Sequence, residues 1–321
     1  MSLNNLGTIL GDLGELESAR RVFEEALAIR RRSSEAHPAA FMRGMAMTLG
    51  NLGRTLAELG EWRPARRVLE EALAICRQLA EAEPVTFEPH LAGILSDLGA
   101  VLTELGEGTQ ARRVLEEALA IRRRLAEADP AASAPSLSAS LRNLGYHLRV
   151  VGEQEIARSV YGEALSILRR LAEAQPAVFA PDLAMTLSNF GHLLNDLGER
   201  APARAMLEEA LILYRRLAEE QPGAFVSDVA RTLDDLGLVL RELGEPEPAR
   251  QALEEALAMC RRLAETQPDT FEEHVAEVLT NLGNARRDLG EEAGAQQALE
   301  EAAAIRLRRR QVRGGGPVQL P

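Results

Sequence analysis

The chain contains no lysine; all 37 basic residues are arginine. That removes a Walker-type phosphate loop, whose lysine reaches the terminal phosphates. Aromatic residues make up 3% of the chain, too few for a sheet core, whereas Ala and Leu are abundant, as helix packing requires. No segment alternates apolar and polar residues long enough to be a strand, and no apolar run approaches the ~20 residues of a membrane helix. No basic-then-apolar leader follows Met1, so the expected location is cytoplasmic, with no membrane partner. The two cysteines, Cys76 and Cys260, lie too far apart in sequence-repeat terms to pair, which suits a reducing compartment. His37, His90, His147, His192 and His274 show no metal-ligand spacing, and neither HExxH nor GxSxG occurs. The expectation is therefore no catalytic residue, no metal and no cofactor. A net charge of −12 keeps the chain soluble and argues against a general nucleic-acid binder.

What is present is periodicity. Gly14, Gly60, Gly106, Gly152, Gly198, Gly244 and Gly290 are each 46 positions apart. A second series runs seven residues ahead: Gly7, Gly53, Gly99, Gly145, Gly191, Gly237 and Gly283. Ala19, Ala65, Ala111, Ala157, Ala203, Ala249 and Ala295 keep the step, as do the prolines from Pro38 to Pro268. This is a repeat array. Its units are about 1–38, 39–84, 85–130, 131–176, 177–222, 223–268 and 269–310; the terminal arginines suit a last helical turn, and the triple glycine after them reads as a frayed, disordered tail over 311–321.

Within a unit the period is helical. Leu49, Leu52, Leu56 and Leu59 make one apolar stripe, and Gly60 closes that helix. Pro64 suits a first helical turn, Val68, Leu69, Ala72, Leu73, Ile75 and Leu79 make a second face, and Pro84 stops the run. Each unit is thus a helical hairpin. The order Leu144-Gly145, Gly152, Ala157, Tyr161 and Ala164, repeated through residues 1–310, resembles the tetratricopeptide repeat. The departure is length. The usual period is ~34 residues, and the extra residues include about two helical turns per hairpin, in the style of kinesin light chain repeats. The resemblance implies an all-α, right-handed superhelical solenoid of seven helical hairpins, with Tyr161 filling the gap between neighbouring hairpins.

The paired glutamates, such as Glu116-Glu117 after Arg112-Arg113, recur in phase and read as a solvated face with ion pairs of a few tenths of a kcal/mol. The first unit lacks the opening turn that residues 41–46 give the second. It is expected to expose Leu3, Leu6 and Leu10 and to fray or self-associate through that end.

The resemblance also implies a concave groove lined by the first helix of each hairpin, at positions two and three before and one, four and five after its first glycine. The position two before reads Asn5, Asn51, Asp97, Asn143, Asn189, Asp235 and Asn281. Such a ladder can hold the backbone of an extended peptide, or each member can bond the neighbouring helix. The fourth unit departs most, with Ser133 for the recurring Phe and Val150 for the acid five after. Arg142, Asn143, Tyr146 and Arg149 there, with Asn189, His192 and Asn195 on the next hairpin, are the candidate partner-binding residues. Arg and Tyr are enriched in binding hot spots, and an acidic peptide with an apolar anchor suits them; simple drift of one repeat is the other reading. The lysine clamp of the chaperone-binding members has no counterpart. The expected function is a non-catalytic scaffold for a protein or peptide, the alternative being a regulatory arm of a larger bacterial signalling ATPase or protease.

Overall fold

The computed structural model describes residues 2–34 and 38–313. Among them are fourteen α-helices and no strand. They are α1 (Leu3–Asp12), α2 (Leu16–Ser34), α3 (Pro38–Glu58), α4 (Trp62–Ala82), α5 (Pro84–Glu104), α6 (Gly108–Ala128), α7 (Pro130–Val150) and α8 (Gln154–Ala174). Then come α9 (Pro176–Asp196), α10 (Arg200–Glu220), α11 (Pro222–Glu242), α12 (Pro246–Thr266), α13 (Pro268–Asp288) and α14 (Glu292–Arg313). They fall into two compact units, Met1–Pro176 and Ala177–Pro321. Each unit is a stack of helical hairpins in which a helix packs on its chain neighbours; α5 also touches α3 and α7, and α13 touches α11. The expected tail meets the described residues only at 311–313, which continue α14; the rest lies outside them.

The turn inside each hairpin follows from one glycine. Gly60 has φ +75°, its N–H donates to Ala57 O at 2.9 Å, and the Glu61 N–H donates to Leu56 O at 2.8 Å. That pair of bonds satisfies the last carbonyls of α3 and reverses the chain. Between hairpins the device differs. Glu83 leaves the helical region (φ −138°, ψ 71°), and Pro84 opens α5 as a first-turn residue whose missing donor costs nothing. The proline therefore both ends one helix and starts the next.

The other glycine series sets the closeness of approach. A Cβ on Gly99 would lie 2.4 Å from Leu115 Cγ, and one on Gly53 2.5 Å from Leu69 Cγ. At Gly145 the facing side chain is Tyr161, at 3.0 Å. Tyr161 thus packs against the first helix of its own hairpin, fully buried, rather than solely between neighbouring hairpins as the sequence implied. Opposite a glycine there is room for an aromatic ring; the larger residue replaces the leucine of other units.

Ion pairs run along the second helices of the hairpins in two columns. Arg66 pairs with Glu70 within α4 at 2.9 Å and with Glu107 at 2.5 Å, and Arg112 pairs with Glu116 at 2.7 Å and with Glu153 at 2.5 Å. The second glutamate of a pair reaches back to the preceding hairpin, as in Arg31–Glu71 at 2.7 Å and Arg77–Glu117 at 2.8 Å, and Glu163, which follows Gly162, does the same to Arg123 at 2.8 Å. In the second unit Arg215–Glu255 (2.7 Å) and Arg261–Glu301 (2.6 Å) repeat it. The acidic pairs are thus half intra-helical, as expected, and half a link between hairpins. These side chains are about half exposed, so each pair contributes at most ~1 kcal/mol.

Candidate interaction surface

In the first unit the candidate residues Arg142, Asn143, Tyr146 and Arg149 all lie on α7, each half-buried. Their spacing puts them on one side of the helix. The Tyr146 hydroxyl donates to Glu104 Oε1 of α5 at 2.7 Å, and the Arg149 guanidinium lies 5.7 Å from the Tyr146 ring centroid. A hydrogen bond at one end and a cation over the face hold the ring in place. Val150 beside them is 50% exposed and Val151 is 43% exposed, an apolar margin next to two arginines. One position of this set does not face outward everywhere. Thr103, four after Gly99, is buried and bonds Gly99 O and His147 Nδ1, both at 2.9 Å. Burial lowers the His147 pKa, with Arg112 acting in the same direction.

In the second unit Asn189, His192 and Asn195 lie on α9, also half-buried. His192 Nε2 is 3.1 Å from Asp235 Oδ2 on α11, and Asn195 Oδ1 is buried with no hydrogen-bond partner among the described residues. The ladder two before the glycine is therefore partly consumed by the fold. Asp97 is held by Arg54 at 3.1 Å, Asp235 by His192, and Asn281 donates to Asp234 at 2.9 Å. Burial raises the Asp97 pKa despite Arg54 beside it. These are bonds between successive first helices, the second of the two readings the sequence left open.

Sequence reasoning missed two pockets. One, about 220 Å³, lies between α3 and α5 and includes Arg43, Arg54, Cys76, Phe87, His90 and Asp97 in its walls. The other, about 240 Å³, lies between α11 and α13 and includes Asp228, Asp234, Cys260, Phe271, His274 and Glu277. The signal was in one column of the repeat: Arg30, Cys76, Arg122, Leu168, Tyr214, Cys260 and Arg306. Both pockets lie over the two cysteines, the smallest side chains in that column. Both thiols are buried and free, and burial pushes each up to about 11, so neither is a ready nucleophile.

Among the described residues no group of three or more His, Cys, Asp or Glu could hold a metal ion, and no helix is long and apolar enough to cross a membrane. Two tetratricopeptide repeat profiles match the chain, one over residues 1–78 and 182–262 and the other over 91–131. No curated protein sequence matches. The fold is similar to BtubC (BKLC) from P. vanneervenii, with 21% identity, a TM-score of 0.63, and 80% of this chain and 94% of that one covered. The nearly identical kinesin light chain TPR-like repeats of Podosopora anserina align at 19% identity and a TM-score of 0.53, covering 69% of this chain and 97% of that one. The Rap conjugation gene regulator of plasmid pLS20, in complex with the Phr* peptide, aligns at 14% identity and a TM-score of 0.62, covering 98% and 75%.

Proposed function

Because this chain belongs to the tetratricopeptide repeat family, with the long hairpins of kinesin light chain-like repeats, we propose that its work as an interaction scaffold is done by the first helices, which receive a peptide or helix of a partner protein. The observation that carries this is the α7 surface. Tyr146, fixed by Glu104 and covered by Arg149, offers an ordered aromatic anchor beside the exposed Val150. Aromatic and arginine anchors of this kind dominate interface energetics because little ordering entropy remains to be lost. A regulator of similar fold carries a bound peptide, which supports the reading by analogy. The favoured ligand is an acidic segment with an apolar anchor, since Val150 stands where other units keep an acid.

The test is calorimetry with a peptide selected on the intact protein from an acid-rich displayed library. Tyr146→Ala with Arg149→Ala should weaken it by about 2 kcal/mol or more, while Tyr146→Phe, which loses only the bond to Glu104, should cost less. Ala100 and Thr103 are the corresponding pair in the third hairpin, but buried Thr103 makes a poor control. Asn284 and Arg287 serve instead, and their change to Ala should leave affinity within twofold. Unchanged affinity in the Tyr146/Arg149 variant, with helicity retained, removes the fourth hairpin as the site. The proposal includes self-association through α1, where Ile9 is 45% exposed and Leu13, just past the helix, is 69% exposed. Ile9→Ser should then raise the dimer dissociation constant in sedimentation, and a wild-type chain monomeric at high concentration sinks it.

A further inference from the structure

The pockets over Cys76 and Cys260 are the same hole with opposite lining. In the first, the Arg43 guanidinium lies 5.1 Å from the Phe87 ring centroid and Arg54 holds Asp97. In the second, Phe271 keeps the place of Phe87, but Ser227 and Leu238 stand where Arg43 and Arg54 stood. Gly50, Asn51 and Gly93 are meanwhile replaced by Asp234, Asp235 and Glu277. The hole is thus retained, the places of Arg43 and Arg54 have lost their arginines, Arg231 stands where Met47 stood, and carboxylates have arrived.

Three other hairpins carry an arginine at this position (Arg30, Arg122 and Arg306), and the remaining two carry Leu168 and Tyr214. Arg122, the counterpart of Cys260 in the third hairpin, acts electrostatically on Asp97. Arg306, its counterpart in the last, donates from Nε to Glu273 at 3.3 Å, from Nη1 to Thr280 Oγ1 at 3.2 Å and from Nη2 to Ala276 O at 3.4 Å. Cys260 is 4% exposed, sits in the pocket lining, and makes no hydrogen bond among the described residues.

We propose that the pocket between α11 and α13 receives the guanidinium of an arginine from a partner segment, stacked on Phe271 and bonded to Asp234, with Glu277 at the mouth. That the donor is a partner segment rests on the scaffold reading above; the preference for a guanidinium does not. A planar, weakly hydrated cation that also stacks on a ring fits such a lining better than an ammonium. Arg231, which lines the same pocket, is already held by Asp228 at 2.8 Å. Asp234 has only the neutral Asn281 amide, and Glu277 has no ion pair among the described residues. Burial pushes the Asp234 carboxyl up to about 7, its Asn281 bond opposing and Asp235 and Glu277 adding to the rise, so the charge on Asp234 is gained as pH passes neutrality. The groups bearing on that charge are Asp228, Arg231 and Asp235 on α11, His192 on α9 holding Asp235, Cys260 on α12, and His274, Glu277 and Asn281 on α13.

The experiment is an NMR titration of the full chain with N-acetyl-arginine amide, read at the Val278 and Ala230 methyls, with N-acetyl-citrulline amide as the neutral isostere. At pH 8 the arginine probe should shift them saturably and bind at least tenfold more tightly than citrulline, and that advantage should fall at least fivefold at pH 5.5. Asp234→Asn keeps the shape and the Asn281 contact, and should reduce the arginine probe to the citrulline level at both pH values. Ser227→Arg, placing over Phe271 what Arg43 places over Phe87, should block binding without touching the acids. Equal binding of the two probes, no saturable shift, or full binding in both variants overturns the proposal. Selected-peptide binding at α7 would be untouched by that failure, and loss of binding at α7 would leave this titration unchanged.

Discussion

A side chain one atom too large at Gly99 has nowhere to go. The added Cβ would lie 2.4 Å from Leu115 Cγ, and Leu115 is 1% exposed, so the two helices of the hairpin must part. Gly99→Ala is expected to lower unfolding free energy by about 1–3 kcal/mol in a denaturant titration. Gly145→Ala, facing the Tyr161 ring at 3.0 Å, should cost less. Asp234 gives a pH signature of its own. Its folded pKa of about 7 lies above the ordinary carboxylate value, so its contribution is fully present below that ordinary value and is lost as pH rises through 7. Asp234→Asn should therefore stabilise the protein at pH 8, on the order of 2–4 kcal/mol, and change little at pH 4; a pH-independent difference would contradict it. The two glycine series were legible in the sequence because close approach and positive φ each demand one residue type. The pocket over Cys260 was not, because its signal is an omission: a short side chain in a column whose members, Cys76 apart, are Arg, Leu or Tyr.

Helices were legible to within a few residues wherever the turn chemistry was. Gly60 and Pro84 mark ends that hydrogen bonding then confirms, whereas interior Pro89, Pro135 and Pro181 leave α5, α7 and α9 unbroken. The surface of α7 was only half legible. Periodicity put Arg142, Tyr146 and Arg149 on one face, but the bond from Tyr146 to Glu104 joins residues 42 apart, and no local pattern encodes it. Thr103 shows the same limit: a position read as groove is buried because His147 of the next hairpin reaches it. The element with least support is α1. It has 10 residues against 21 in α3, and its buried set is Gly7 alone, with Leu6 exposed and Leu3 and Leu10 half-buried. A helix that short is marginal unless packing holds it. Amide exchange in α1 is expected to be at least tenfold faster than in α5 and α7; equal protection in a monomer would show that its contacts with α2 and α3 suffice.

At the scale of the array, the repeated contacts that link neighbouring hairpins within each unit span nearly the same number of residues. The two ion-pair columns join residues 40 and 41 apart, as in Arg31–Glu71 and Arg20–Glu61, and the bonds between first helices join residues 42 to 47 apart. Stability in such an array is a sum of unit and nearest-neighbour terms. Cutting out residues 61–106 would join Gly60 to Glu107, restore the same turn, hand Arg20 to Glu107 and Arg31 to Glu117, and leave no orphaned face. That shortened chain is expected to fold with unchanged helicity per residue and a lower midpoint in thermal unfolding, whereas a cut half a period long should not fold. The coding sequence, then, can gain or lose one period by unequal crossing-over and yield a folded product at each step. The number of hairpins becomes a quantity that recombination can change before any single residue has to.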